Sequence, residues 1–243
     1  ANVPVPFECK PGKTPLKAAA QVGNVKYELA RMEELYPVER LDRAPAMDGT
    51  LKGFENVTPI VFDKSDTLKP IDAAAWGYWT GPKDASAKIY LAYDKDYFYI
   101  AADVLDDIHI ARASDQMIWN QDCLQYGFDT ENDAFDVKAA RGGYSPDDRE
   151  FCMALTPKGP QVFKFGTGLL AGTKLAVKLL QGQTVYECAI PWTELNGIQP
   201  VIGTDCRFDI LLNDHDAITS RRYMFRYGRG IVYGYDETEN LVL

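Results

Sequence analysis

The stock of residues for covalent chemistry is small. Two histidines, His109 and His215, and five cysteines, Cys9, Cys123, Cys152, Cys188 and Cys206, stand among 243 residues. The cysteines form no CxxC pair and share no zinc-like spacing with the histidines. Cys123, Cys188 and Cys206 each sit in a strand-like run, where a buried thiol behaves as a small apolar side chain. Their odd total leaves at least one thiol unpaired. Neither a GxSxG nor an HExxH sequence is present, so the hydrolase and zinc-protease signatures are missing. Two carboxylates such as Asp147 and Asp214 are the type that cleaves glycosides, but among 35 acidic residues such a pair is expected by chance. The residues point to binding rather than catalysis.

Aromatic side chains offer a different chemistry. They make up 12% of the chain, with 14 Tyr and 4 Trp. β-propensity accounts for most of the tyrosines, yet a few rings on a surface would stack on the C–H faces of sugars. The net charge of −9 repels phosphate backbones, and no Lys/Arg cluster offsets it, so nucleic acid is not an expected partner. No apolar run is long enough to read as a membrane span. The chain opens on Ala1 rather than Met, which leads to the expectation of a removed export signal and an extracellular, periplasmic or cell-surface protein.

The elements that must carry such a site read as strands. Residues 1–40 form an N-terminal extension interrupted by Pro4, Pro6, Pro11 and Pro15, with Val22 to Arg31 either an extended strand or a short helix. Residues 41–243 form the main domain. Asp48-Gly49 is a turn, and Ala87 to Tyr93 with Tyr97 to Leu105 make an antiparallel hairpin around a polar link. Trp119 to Asp129, Glu150 to Leu155, 161–165, 174–180, 184–190, 206–212, Arg222 to Tyr227 and Asn240 to Leu243 follow. Pro191 halts the strand that begins at Val185, because proline has no amide hydrogen for a ladder. About ten short strands without a long amphipathic helix predict an all-β, antiparallel β-sandwich with jelly-roll character.

Five pieces, in order, resemble family 9 carbohydrate-binding modules. They are Asp48-Gly49, the hairpin from Ala87 to Asp107, the run from Trp119 to Asp129, the segment from Val185 to Leu195, and Phe208 to Asp216. The resemblance covers roughly Asp48 to Leu243. It implies non-catalytic carbohydrate binding, with an oligo- or polysaccharide as partner and glycoside-degrading enzymes as associates. It also implies that a sugar ring is clamped between Trp119 and a tyrosine of the C-terminal loop, Tyr233 or, by a slip of alignment, Tyr235. Gln125 stands where the family has an acid, Cys152 where it has an arginine (with Arg149 three residues away as a substitute), and Leu211 where it has a glutamine. Asn213 is the remaining polar candidate for sugar hydroxyls, or equally a cap for the strand-end turn. Structural calcium is the cofactor that the resemblance implies. Asp106, Asp107 and Asp129 are its candidate ligands, with Asp103 and Asp122 in reserve.

Two alternatives share the sandwich. One is a protein interaction or assembly module that uses the extension and Trp76/Trp79. The other is a b-type haem domain with Met117 and His109 or His215 as axial donors.

Overall fold

A computed structural model describes residues 12–70, 79–131, 146–195, 198–216, 223–226 and 239–242. The chain enters through β1 (Gly12–Val22), β2 (Val25–Pro37), β3 (Glu39–Arg40), β4 (Ile60–Phe62) and β5 (Leu68–Pro70). The central strands are β6 (Ala85–Tyr93), β7 (Tyr97–Asp106), β8 (Cys123–Asp129), β9 (Arg149–Thr156), β10 (Gly159–Lys164) and β11 (Gly168–Leu169). It closes through β12 (Lys174–Leu180), β13 (Gln183–Pro191), β14 (Asp205–Asp214), β15 (Tyr223–Arg226) and β16 (Glu239–Val242).

These strands form two sheets. The first runs β1-β2-β16-β14-β8-β9-β10-β11, with β15 on β14 and β5 on β15; the second runs β12-β13-β7-β6-β3, with β4 on β6. Pairing is antiparallel except between β2 and β16 and between β3 and β6. The arrangement is the expected β-sandwich. Its strands outnumber the ten expected because the extension folds into an eleven-pair ribbon, β1 on β2, and several pairings span only two or three residues. The stretch from Val25 is strand rather than helix, reached through a turn in which Gly23 takes φ +62°.

Alternation decides which side chains meet. Leu124, Tyr126 and Phe128 of β8, Phe151 and Met153 of β9, and Phe208, Ile210 and Leu212 of β14 turn inward. They meet Ile89, Leu91, Phe98, Ile100, Tyr186, Cys188 and Ile190 from the other sheet. Phe98 and Phe128 cross the gap edge-to-face at 5.2 Å, and Tyr126 Oη lies 3.8 Å from Cys188 Sγ. Burying each such side chain contributes on the order of 2 kcal/mol.

The turns follow from local chemistry. Asp94 Oδ1 accepts the amides of Asp96 and Tyr97, which closes the hairpin between β6 and β7. At Pro191 the β13 ladder ends and a 3-10 turn over Trp192–Glu194 begins. Trp192 then packs edge-on against Phe98 at 5.9 Å and donates to the Asp94 carbonyl. The strand expected from Trp119 starts only at Cys123. Before it, Gln121 Oε1 accepts the amides of Arg112 and Ala113, and Asp122 accepts that of Ile110, so these side chains fold the segment into a loop. Among the described residues no helix is long and apolar enough to cross a membrane.

Candidate functional site

The outward-facing residues of β8, β9, β10 and β14 are set by the same alternation. Register places Leu211, Gln125, Cys152 and Phe163 on one rung across the four strands. Asp209, Gly127 and Glu150 form the next rung. The positions where the family carries glutamine, acid and arginine are therefore true cross-strand neighbours here, filled by Leu211, Gln125 and Cys152.

A polar chain runs over this face. The Gln125 side-chain nitrogen donates to Glu150 Oε1, and its oxygen accepts from Asn213 Nδ2 at 3.3 Å. Asn213 Nδ2 also lies 3.1 Å from Cys123 Sγ, its partner in the register. Gln125 and Asn213 are buried, whereas Glu150 is half-buried. The amide of Gln125 is thus oriented from both sides, because a carboxylate only accepts and must face its NH₂.

Trp119 borders the polar chain. It is half-buried, just after a 3-10 turn over Asp115–Met117, and packs with Phe163 and Phe165 on Ile118, Cys123, Cys152 and Ala154. The two phenylalanines stand edge-to-face at 5.5 Å. An aromatic wall beside hydrogen-bonding side chains is the arrangement that takes a ring with an apolar face and polar rim.

The structure brings Trp119, Gln125 and Asn213 to one face but not Arg149. Arg149 pairs with Phe128 in register, an inward-facing position, and its Nη1 donates to the carbonyls of Pro146 and Asp148. Three residues from Cys152 is an odd step along a strand, so Arg149 points to the other side. Tyr233, Tyr235 and Trp76 lie outside the described residues. Trp79 donates to the Ala85 carbonyl and packs edge-on against Phe225 at 5.6 Å, which puts it at the core rather than on an interaction surface.

The three calcium candidates do not converge. Asp107 groups with Asp84 and Asp216, Asp129 with Asp147 and Asp148, and Asp106 with His109 and Asp122, each set holding its ligand atoms within 4.8 Å of one another. In the last set His109 Nδ1 lies 3.4 Å from Asp106 Oδ2 and 3.4 Å from Thr184 Oγ1. Asp122 is buried there and accepts the amides of Ile110 and His215. Burial, then the neighbouring Asp106, and then Asp214 push its carboxyl well above the usual range, against the pull of those two amides. Of the reserve ligands, Asp103 instead accepts from Gln183 at 2.6 Å. Of the residues named for haem, Met117 is exposed, His109 turns to Asp106, and His215 is fully buried beside Asp122. Asp147 accepts the amides of Thr130 and Glu131, and Asp214 lies at the far end of β14, so these carboxylates form no catalytic pair.

Sequence reasoning passed over Glu150, Phe163 and Phe165. The spacing Phe163-Lys164-Phe165 did carry a signal, since aromatics two apart share a strand face.

Comparison with known proteins agrees with this architecture. The sequence model of the family described as carbohydrate family 9 binding domain-like matches residues 61–228. Endo-1,4-beta-xylanase A of Thermotoga maritima is 26% identical over 194 residues, which is 80% of this chain and 16% of the xylanase. An exoglucanase of Acetivibrio thermocellus is 29% identical over 161 residues, 65% of this chain and 14% of that protein. The chain therefore spans about a sixth of the length of the curated relatives it matches. Among solved structures, a family 9 module from Caldicellulosiruptor kristjanssonii in complex with cellotriose superimposes with a TM-score of 0.61 at 18% identity. That superposition covers 86% of this chain and 93% of the other, and it speaks to the fold. The family match runs from β4 through β15 and so across both sheets, and on that basis the chain belongs to the carbohydrate family 9 binding domain-like family.

Proposed function

We propose that this protein is a non-catalytic carbohydrate-binding module whose ligand lies on the outer face of β8, β9, β10 and β14. Trp119 stacks on a sugar ring, and Gln125 and Asn213 hold its hydroxyls. The observation that carries this reading is the shared face. Trp119 packs on Cys123 and Cys152, while Gln125, Glu150 and Asn213 form one hydrogen-bonded chain over the same strands.

The ligand class is a β-1,4-linked oligo- or polysaccharide. The names of the xylanase and exoglucanase relatives and the cellotriose in the structural neighbour support that choice. Association with a glycoside-degrading enzyme outside the cytoplasm is part of the same proposal, because such modules occupy a small share of those relatives.

Calcium enters as a structural ion. Asp84, Asp107 and Asp216, and separately Asp129, Asp147 and Asp148, are all-oxygen sets of the kind calcium prefers. Asp106, His109 and Asp122 include a nitrogen donor and suit it poorly. Bound calcium would neutralise clustered carboxylates at the strand ends.

The test is a panel of soluble glycans titrated by calorimetry with and without calcium. Saturable binding of a β-1,4 glucan or xylan supports the proposal. Absence of binding across mono-, oligo- and polysaccharides contradicts it.

A further inference from the structure

We propose that Asp106, His109 and Asp122 form a metal site of a different kind, one that takes a zinc-class divalent transition ion rather than calcium. The inference is independent of the glycan reading.

His109 follows the end of β7 by three residues, and its side chain is 9% exposed. Its Nε2 is buried without a hydrogen-bond partner. Its Nδ1 lies 3.4 Å from Asp106 Oδ2, 3.4 Å from Thr184 Oγ1 and 3.9 Å from Asp122 Oδ2. All three contacts are longer than the roughly 2.7–3.2 Å of an ordinary N–H···O bond. Buried polar side chains are normally well paired, so this ring is short of a partner at the atom aimed between two carboxylates.

The same spacing suits an ion. Donors held about 2.0–2.2 Å from a tetrahedral centre stand roughly 3.3–3.6 Å from one another. The separation of His109 from Asp106 falls in that range, and Asp122 Oδ2 needs to close by a few tenths of an ångström. One ligand atom from each of the three residues lies within 4.8 Å of the other two. A fourth position, beside Thr184 Oγ1, is left for a water.

Backbone amides hold both carboxylates in place. Asp106 Oδ1 accepts the Ile108 amide at 2.9 Å, which leaves Oδ2 toward the ring. Asp122 Oδ1 accepts the His215 amide at 2.6 Å, and its Oδ2 accepts that of Ile110. The two side chains are nine-tenths buried or more, and among the described residues neither forms an ion pair with a lysine or arginine. Buried carboxylates side by side call for a cation, and a divalent ion supplies one. Imidazole with carboxylates suits zinc and its neighbours, whereas calcium takes six to eight oxygens. Such an ion ties the end of β7 to the segment before β8, where Trp119 stands three residues ahead of Asp122.

The test uses protein freed of metal by chelator and then held in excess calcium, so that the all-oxygen sets are supplied. It is titrated with zinc chloride by calorimetry and with cobalt chloride by visible absorbance. Wild type should take up one equivalent of zinc, show ligand-field bands with cobalt, and melt higher with zinc and calcium than with calcium alone. In His109→Ala zinc affinity should fall roughly a hundredfold or more, because even the groups that support a metal ligand are worth about 10–100-fold. The calcium-dependent melting shift should remain in that variant. If His109→Ala does not fold, Asp106→Asn keeps the side-chain volume and should show the same loss. Absence of zinc uptake by wild type in calcium overturns the proposal, as does displacement of the zinc by excess calcium. Unchanged zinc affinity in a folded variant also overturns it, since the ion would then sit on other groups.

Discussion

Glu187, fully buried on β13, accepts the backbone amides of Gly49 and Leu51, one on each carboxylate oxygen and each at 2.7 Å. This clamp fixes the loop after β3 against the second sheet. Gly49 takes φ +75°, and a Cβ there would sit 2.6 Å from Lys178 Cβ, so the Asp48-Gly49 turn is fixed by both conformation and space. Removing the carboxylate leaves two amides without their acceptor. Glu187→Ala should therefore cost about 3 kcal/mol in urea unfolding, and Gly49→Ala about 1–3 kcal/mol. Values within about 0.5 kcal/mol of wild type would mean the loop is held otherwise.

Cys123, Cys188 and Cys206 are buried thiols. Burial pushes the Cys188 thiol up to about 12, with the Tyr126 hydroxyl pulling modestly the other way, and burial raises Cys206 as well. A thiol reacts as its thiolate, so Cys188 and Cys206 should resist alkylation at neutral pH until the protein is denatured. Mass mapping after iodoacetamide treatment reads this directly. Rapid native labelling of Cys188 would contradict the burial.

Calcium should raise the melting temperature, and chelator should lower it. At free calcium about a hundred times the dissociation constant, one site contributes about 2.7 kcal/mol. Asp107 and Asp129 belong to separate clusters, so Asp107→Asn and Asp129→Asn should each remove part of the calcium-dependent shift, with additive effects. A shift abolished by either variant alone would contradict two independent sites.

Asp122 gives a pH prediction. Its native carboxyl is raised, first by burial, so the native chain keeps a proton that the unfolded chain releases near the ordinary value of about 4. The stability this group contributes is full below that range and declines as pH rises through its raised native value. Unfolding free energies measured from acid to neutral pH should show this decline in wild type and lose it in Asp122→Asn. An identical profile in both would place the dependence elsewhere.

Much of the fold was legible because the sandwich rests on period-two patterns. Ala85–Tyr93 and Tyr97–Asp106 stand out as β-rich runs around a polar link, and Pro191 marks the end of β13. The resemblance also named Gln125 and Asn213, which do share a face. What the sequence withheld was the register between strands. Arg149 and Glu150 are adjacent, and a one-residue difference decides which of them turns outward beside Gln125. Likewise Asp106, Asp107 and Asp129 sit at plausible loop positions, but which loops meet depends on contacts such as Asp107 with Asp216, far apart in the chain. The N-terminal ribbon was obscured by Pro15 and an alanine-rich run, which carry little alternation.

The central claim is that Trp119 forms the stacking wall of a glycan site. A stacked ring is worth about 1–3 kcal/mol, by analogy with bases on aromatic side chains. The direct test is calorimetric titration of wild type and Trp119→Ala with cellotriose, alongside circular dichroism of both. The account predicts binding by wild type, at least about tenfold weaker binding by the variant, and the same β-rich spectrum for each. Equal affinity in a folded Trp119→Ala would contradict it.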